Sequence, residues 1–267
     1  MTDKGISAGY FQFSPVLGDV NANIHILEKA FQSAPLPDIL VLPELANSGY
    51  NFSSAGEARK YSETLVNSPF LEFLRETSRK RNIYIVSGFN ENDGNEIYNT
   101  AIITGPEGIV GKYRKIHLFM NEKDYFAPGN LGFQVFRSEL GILGMLICFD
   151  YIFPEAWRII AMKGASLICH PSNLVTPYAQ KVVPAHSVIN RLFVITANRT
   201  GTERDLTFTG QSFITDPEGN VFCKAPGDEA VLNFLDLDLT RSDNKMITAR
   251  NHVFNDRKPG FYKELMD

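Results

Sequence analysis

Three side chains that could serve as a base, a cation and a nucleophile each follow a predicted strand in this 267-residue chain. Glu44 follows the apolar run 39–42, Cys148 follows the apolar run 141–147, and Lys115 follows a third strand between them. Sites in α/β sheets form beyond the carboxyl ends of strands, where a carboxylate can take the proton of a thiol. A nearby ammonium can then stabilise the thiolate and the oxyanion of a tetrahedral adduct. These residue types therefore suit nucleophilic cysteine chemistry, but composition and spacing do not show that the three side chains meet.

Cys148 lies where a buried strand is predicted to turn into a helix. The pair Pro154-Glu155 suits the first turn of that helix, and Gly164 is suited to end it. Such a turn lifts a side chain out of the sheet and can aim backbone N–H groups at the atom that it attacks. A free cysteine is usually buried and inert, so this stretch alone favours a core thiol.

Predicted helices and strands alternate along the chain, and hairpins interrupt the alternation. Helices are predicted at 21–34, 55–81 (joined at 67–69, with Ser68 as N-cap), 156–162 and 183–192 (with Pro184 in its first turn). Strands are predicted at 7–13, 39–42, 83–89, 97–103, 108–113, 133–136, 141–147, 166–170, 193–197, 211–215, 220–223 and 230–237. This order predicts an α/β layered sandwich with two mixed sheets packed face to face and helices outside. We predict a single domain over residues 1–267, whose polar tail, about 240–267, wraps the domain or a dimer partner.

Composition excludes several classes of protein. The net charge of −4 and pI near 5.8 do not indicate a nucleic-acid partner. Residues 1–5 lack the apolar core of a secretory signal, and no apolar run approaches the roughly 20 residues that span a bilayer. Three cysteines without a CxxC pair suggest a reducing compartment and no structural zinc. We therefore expect a cytoplasmic protein without a membrane partner, a metal or an organic cofactor.

The three candidate residues lie in motifs that resemble those of the nitrilase (carbon–nitrogen hydrolase) superfamily. The glutamate, lysine and cysteine motifs of that superfamily are similar to residues 41–45 (VLPEL, with SGY at 48–50), 112–119 (KYRKIHLF) and 147–155 (ICFDYIFPE). The resemblance continues through 170–174 (HPSNL), 197–201 (ANRTG) and 216–219 (DPEG), so it covers nearly the whole chain and is nearest to small prokaryotic amidase/nitrilase members. It implies a four-layer αββα sandwich that forms a homodimer through its outer helices.

The resemblance also implies roles for individual residues. Cys148 would be the nucleophile and Glu44 the base, while Lys115 and the backbone N–H of Phe149 would hold the oxyanion. Glu122 matches a second glutamate of the superfamily, which would orient the substrate and tune Lys115. The residues expected to line the substrate pocket are Tyr50, Phe119, Tyr125, Phe149 and Asn173. His117 and His170 offer an alternative Cys–His dyad, although a lone histidine at a strand end is more often a structural hydrogen-bonding residue.

The activity implied is the hydrolysis of a small aliphatic or ω-amide to its acid and ammonia through a thioester on Cys148. Alternatives with the same residues are a nitrilase and an N-carbamoyl amine or amino-acid amidohydrolase, the second of which would also release carbon dioxide. A non-catalytic binding protein on the same fold is an alternative of another class, and so, less favoured, is a redox thiol protein. The first is disfavoured because all three reactive residue types stand in their motifs, the second because no other cysteine lies near Cys148 in sequence.

Overall fold

The computed structural model describes residues 5–266, and it arranges the predicted strands and helices into layers. The strands in chain order are β1 (Ile6–Gln12), β2 (Ile39–Val41), β3 (Tyr84–Asn92), β4 (Ile97–Gly105), β5 (Gly108–Arg114), β6 (Val135–Ser138), β7 (Gly141–Met145), β8 (Leu167–Pro171), β9 (Phe193–Ala197), β10 (Thr202–Glu203), β11 (Leu206–Thr207), β12 (Phe213–Thr215), β13 (Val221–Phe222), β14 (Val231–Leu237), β15 (Met246–Thr248) and β16 (Asn251–His252). The helices are α1 (Val20–Ser33), α2 (Ala55–Lys60), α3 (Pro69–Arg81), α4 (Glu122–Tyr125), α5 (Pro154–Met162) and α6 (Ala179–Asn190).

Local sequence signals fix the start of α3. The hydroxyl of Ser68 accepts a hydrogen bond from the backbone N–H of Leu71 at 2.9 Å, and Pro69 is the first residue of α3, as predicted. The prediction for the helix at 183–192 was wrong at its start. Helix α6 begins at Ala179, so Pro184 lies inside the helix and not in its first turn. The first helical turn forms before the proline, because the N–H groups of residues 181 and 182 donate to the backbone oxygen of Tyr178.

Two six-stranded sheets carry the fold. The first has the order β14-β1-β2-β3-β4-β5 and the second the order β13-β12-β9-β8-β7-β6. The central strands of each are parallel, β1 to β2 to β3 in one and β7 to β8 to β9 in the other. Strand β5 is reached from β3 through two antiparallel pairings, so it runs in the same direction as β2. The carboxyl ends of β2 and β5 therefore lie at one edge of the first sheet, where Glu44 and Lys115 follow them.

Alternation of apolar residues in the strands separates two cores. In β2, Ile39 and Val41 face the second sheet and belong to the large cluster that includes Leu143 and Ile168. Leu40 belongs to a second cluster on the other face, formed with residues of α1 and α3. The large cluster also contains residues of α5 and α6, which cover the outer face of the second sheet. The predicted αββα sandwich is thereby confirmed.

The polar tail lies against the second helical layer. Lys245 donates to the backbone oxygen of Arg191 at 2.7 Å, and Arg158 in α5 donates to the backbone oxygen of Val253 at 3.3 Å. These contacts fit a tail that wraps its own domain. The single domain over residues 1–267 stays a prediction, and its residues 1–4 and 267 lie outside the described part. Between residues 5 and 266, none of the helices has the length and apolar content needed to cross a membrane.

Candidate active site

Glu44 is held in a buried position just beyond β2. Gly88 of β3 makes room for it, because a Cβ at Gly88 would stand 2.3 Å from the Cα of Glu44. The amide of Asn99 donates to Oε1 of Glu44 at 2.7 Å, and the amide of Asn173 donates to its backbone oxygen at 2.9 Å. Within residues 5–266, Oε2 of Glu44 is buried without a hydrogen-bond partner. This oxygen is free to accept a proton.

Lys115 lies between two carboxylates and is fully buried. Its Nζ donates to Oε1 of Glu44 at 2.6 Å and to Oε1 of Glu122 at 2.8 Å. Its backbone is fixed as well, since its N–H donates to the oxygen of Asn99 and its oxygen accepts from Gly129, both at 2.8 Å. The preceding residue, Arg114, points to the other side and pairs with Glu91 instead, as strand alternation requires.

Glu122 reaches the cluster from the short helix α4. Its Oε1 also accepts from the hydroxyl of Tyr50 at 2.8 Å, and its Oε2 accepts from the backbone N–H of Phe119 at 3.3 Å. Burial raises the pKa of Glu122 to about 7, although the nearby charge of Lys115 opposes that rise. Glu122 therefore takes up a proton close to neutral pH.

Cys148 stands at the turn between β7 and α5 in a backbone conformation that favours glycine. Its φ is 41°, and it begins a short 3-10 turn, residues 148–152, that leads into α5. Left-handed backbone at a residue other than glycine costs free energy and persists only where neighbouring groups hold it. The predicted strand-to-helix turn is present, and the thiol is almost completely buried in it.

Asp150 is the side chain that holds this turn. Its Oδ2 accepts from the backbone N–H of Ile147 at 2.9 Å and from the hydroxyl of Tyr113 at 2.8 Å. Its Oδ1 lies 2.7 Å from Nδ1 of His117. A fully buried carboxylate with these partners fixes the backbone on both sides of Cys148. Asp150 was not predicted as a site residue, although a carboxylate within an apolar motif is a usable signal.

The two histidines of the alternative dyad serve other contacts. Nε2 of His170 lies 2.9 Å from the backbone oxygen of Cys148, so this nitrogen carries the proton and donates. Nδ1 then accepts from Thr196 at 3.1 Å. Burial lowers the pKa of His170 to about 4, which keeps the ring neutral. His170 thus holds the main chain of Cys148, and His117 binds Asp150.

Burial and neighbouring charges determine the protonation states of Lys115 and Cys148. Burial alone would lower the pKa of Lys115, but the carboxylates of Glu122 and Glu44 outweigh it and raise that pKa. Burial and the charge of Glu44 raise the pKa of the Cys148 thiol, and Lys115 only partly opposes them. At neutral pH the site therefore contains an ammonium and a protonated thiol. The thiol needs a base at the moment of attack.

Replacing Glu122 with glutamine should make the free energy of unfolding less dependent on pH. The pKa of Glu122 is about 7 in the folded protein against an ordinary 4.5, so the unfolded chain releases this proton first as pH rises. The protonated Glu122 contributes its full stabilisation of the folded state below pH 4.5. This contribution is lost as the pH rises through 7. We expect the stability of Glu122→Gln relative to wild type to rise by roughly 3 kcal/mol at most over this window. Urea denaturation at several pH values measures it, and a constant difference between the two proteins would contradict it.

Two adjoining cavities lead to Cys148. A cleft of about 20 Å³ is lined by Cys148, Phe149 and Asn173 among others, and a cavity of about 110 Å³ is lined by Tyr50, Glu122 and Tyr125 among others. Phe119 and Val175 line both. Seven of the nine residues predicted for the site line these two cavities, and Glu44 and Lys115 join them through hydrogen bonds to Asn173 and Glu122. Their catalytic and binding roles stay a prediction.

Comparison with known proteins decides the family. The sequence profile described as "Carbon-nitrogen hydrolase" matches residues 7–244. The chain belongs to the carbon-nitrogen hydrolase family. A carbon-nitrogen hydrolase acts as an enzyme on carbon–nitrogen bonds, which disfavours the non-catalytic alternative.

Individual relatives of this carbon-nitrogen hydrolase have different activities in their names. A "Nitrilase" from Pyrococcus abyssi (strain GE5 / Orsay) is 39% identical over 259 residues, which cover 96% of this chain and 99% of the relative. An "(R)-stereoselective amidase" from Pseudomonas sp is 34% identical over 206 residues, covering 76% and 73%. The crystal structure of a carbon-nitrogen hydrolase from Helicobacter pylori G27 is similar with a TM-score of 0.83 at 26% identity, covering 98% of both chains. The family is shared, but these names do not agree on an amide or a nitrile as substrate.

Proposed function

We propose that this carbon-nitrogen hydrolase converts a small aliphatic or ω-amide to its carboxylic acid and ammonia through a thioester on Cys148. The observation that carries the proposal is the buried ion cluster beside the thiol, in which Lys115 binds Glu44 and Glu122 while Oε2 of Glu44 lacks a partner in the described chain. Such a cluster supplies a base and a fixed positive charge at one thiol.

The first half-reaction forms the thioester. Glu44 takes the proton of Cys148 as the sulfur bonds to the carbonyl carbon of the amide. The oxygen of the tetrahedral adduct carries the negative charge, and in this mechanism Lys115 and the backbone N–H of Phe149 stabilise it. The carbon–nitrogen bond then breaks, and Glu44 returns its proton to the departing nitrogen, which leaves as ammonia.

The second half-reaction consumes water. Glu44 takes a proton from a water molecule whose oxygen attacks the thioester carbon. The carbon–sulfur bond breaks, the acid leaves, and the proton returns to the sulfur. Glu122 keeps its hydrogen bonds to Lys115 and Tyr50 throughout, so its role is to hold the ammonium in position.

The small cavities support a short substrate. About 110 Å³ beside a cleft of about 20 Å³ is well below the roughly 300–1,000 Å³ of drug-sized ligand sites. A nitrile is the second candidate, favoured by the name of the Pyrococcus abyssi relative at 39% identity. It would be attacked by the same thiol and give acid and ammonia by addition of two water molecules.

Ammonia release from matched substrates separates these reactions. We expect the purified enzyme to release ammonia from propionamide and longer aliphatic amides, and at least about tenfold more slowly from the matching nitriles. An N-carbamoyl amine in the same panel would reveal an N-carbamoyl amidohydrolase, because its hydrolysis releases carbon dioxide as well as ammonia. Faster release from the nitriles would replace the proposed substrate and retain the assignment of Cys148.

The homodimer and the cytoplasmic location stay predictions. Apolar side chains that are partly exposed on the outer helices support the first of these, namely Ile159, Met162 and Ile189.

A further inference from the structure

The cavity next to the Cys148 cleft has a carboxylate in its wall and lacks a cationic side chain. Ten described residues line it, among them Asp205 and the amides Asn51 and Asn121, and none of the ten is a lysine or an arginine. Asp205 does not line the Cys148 cleft itself. A substrate with its amide at Cys148 would therefore extend its other end towards Asp205.

A network of hydrogen bonds fixes Asp205 at this place. Asp205 lies in the turn between β10 and β11, and Oε2 of Glu203 in β10 accepts from the backbone N–H groups of Tyr50 and Asn51 at 2.9 and 2.6 Å. Oε1 of Glu203 binds the buried Arg199 at 2.7 Å. The amide of Asn51 also donates to Oδ1 of Asp205 at 2.8 Å. The turn is thus tied to the loop that carries Tyr50, which itself binds Glu122.

Arg204, the neighbour of Asp205 in sequence, forms its ion pair with a different carboxylate. The guanidinium of Arg204 is turned to Glu57, to which it donates at 2.7 and 2.9 Å, and to the backbone oxygen of Asn51. The hydrogen bond from Asn51 lowers the pKa of Asp205, so its carboxylate is ionised at neutral pH. The other carboxylate of the cavity, Glu122, binds Lys115. Asp205 therefore leaves this part of the cavity with negative charge.

Aromatic rings share the cavity with this carboxylate. Tyr50, Phe119 and Tyr125 line it, and the faces of aromatic rings attract cations. An ammonium group would meet a carboxylate and ring faces together. A carboxylate on the substrate would meet Asp205 without a cation from the lining side chains, and like charges repel.

We propose that Asp205 makes this enzyme selective for amides whose far end carries an ammonium group. The inference rests on the proposed amide hydrolysis and narrows its substrate class. This selectivity favours the amides of ω-amino acids over the ω-amides of dicarboxylic acids. Asp205 acts on binding, and the chemistry at Cys148 is the same for each substrate.

Three amides of similar length test the inference. They are 5-aminopentanamide, hexanamide and glutaramate, whose far ends are cationic, neutral and anionic. We expect kcat/KM to fall in that order for wild type. We define the selectivity ratio as kcat/KM for the cationic substrate divided by kcat/KM for the anionic one. Because Asp205 is exposed, Asp205→Asn should lower this ratio by only about three- to fivefold. Asp205→Lys should reverse the preference, and added salt should weaken the preference of wild type.

Glu107→Gln is the matched control, since this exposed glutamate lies in the turn at the end of β5 opposite to Lys115. It should leave the ratio unchanged. The proposed selectivity is wrong if wild type hydrolyses all three amides with equal kcat/KM. It is also wrong if Asp205→Asn and Asp205→Lys keep the selectivity ratio of wild type. Either result would leave the proposed amide hydrolysis in place. If wild type hydrolyses none of them, nor propionamide, the proposed function fails and the inference with it.

Discussion

Replacing Cys148 with alanine is expected to abolish amide hydrolysis and to leave the fold intact. The loss should be about 10⁴-fold or more, because no other group can form the covalent intermediate. The side chain that disappears is one sulfur atom beside the cleft of about 20 Å³, so its loss leaves little new empty space in the core. Ammonia release and the denaturation midpoint measure the two effects separately.

The matched control is Cys169→Ala. Cys169 is also buried, but it lies in the middle of β8 and lines neither cavity. This variant should lose about 1–2 kcal/mol of stability and keep its turnover. A Cys148→Ala protein with appreciable activity would overturn the mechanism. So would a wild-type enzyme that never carries an acyl group on Cys148 during turnover.

Replacing Lys115 with methionine is expected to cost the most stability of any single change at the site. The substitution keeps the length and the apolar stem of the side chain but removes the positive charge between Glu44 and Glu122. Breaking a buried ion pair from one side leaves uncompensated charge, which costs about 3–5 kcal/mol. Turnover should be lost as well, since the oxyanion would lose its ammonium. Urea denaturation and ammonia release measure these losses.

Lys112→Met, in the strand that precedes Lys115, provides the comparison. Lys112 pairs with Glu91 and is about a quarter exposed, and Glu91 keeps its bonds to Arg114 when Lys112 is removed. This variant should lose no more than about 1 kcal/mol and should remain active. Should Lys115→Met fail to fold, Lys115→Arg keeps the charge and isolates catalysis from stability, because its larger, planar group cannot take the place of the ammonium. Equal stability of Lys115→Met and Lys112→Met would contradict the expected cost.

The sequence determined those features that depend on neighbours within a few residues. The strands before Glu44 and Cys148 are apolar runs, and the strand before Lys115 follows a strong turn signal at 105–108, so the strands and the polar side chains after them could be predicted. The start of α3 followed from Ser68 and Pro69 for the same reason. Similarity in three motifs then indicated the family and the αββα sandwich.

Only the tertiary structure decided how these residues affect one another. Three features join residues from separate elements. Glu122 binds Lys115, Asp150 binds the backbone of the turn at Cys148, and Asp205 lines the cavity. Periodicity in the sequence reports which face of an element is buried, but it does not report which charge lies opposite. Since pKa values depend on burial and on charges a few ångströms away, the protonated thiol and the easily protonated Glu122 could be derived only after folding had brought these groups together.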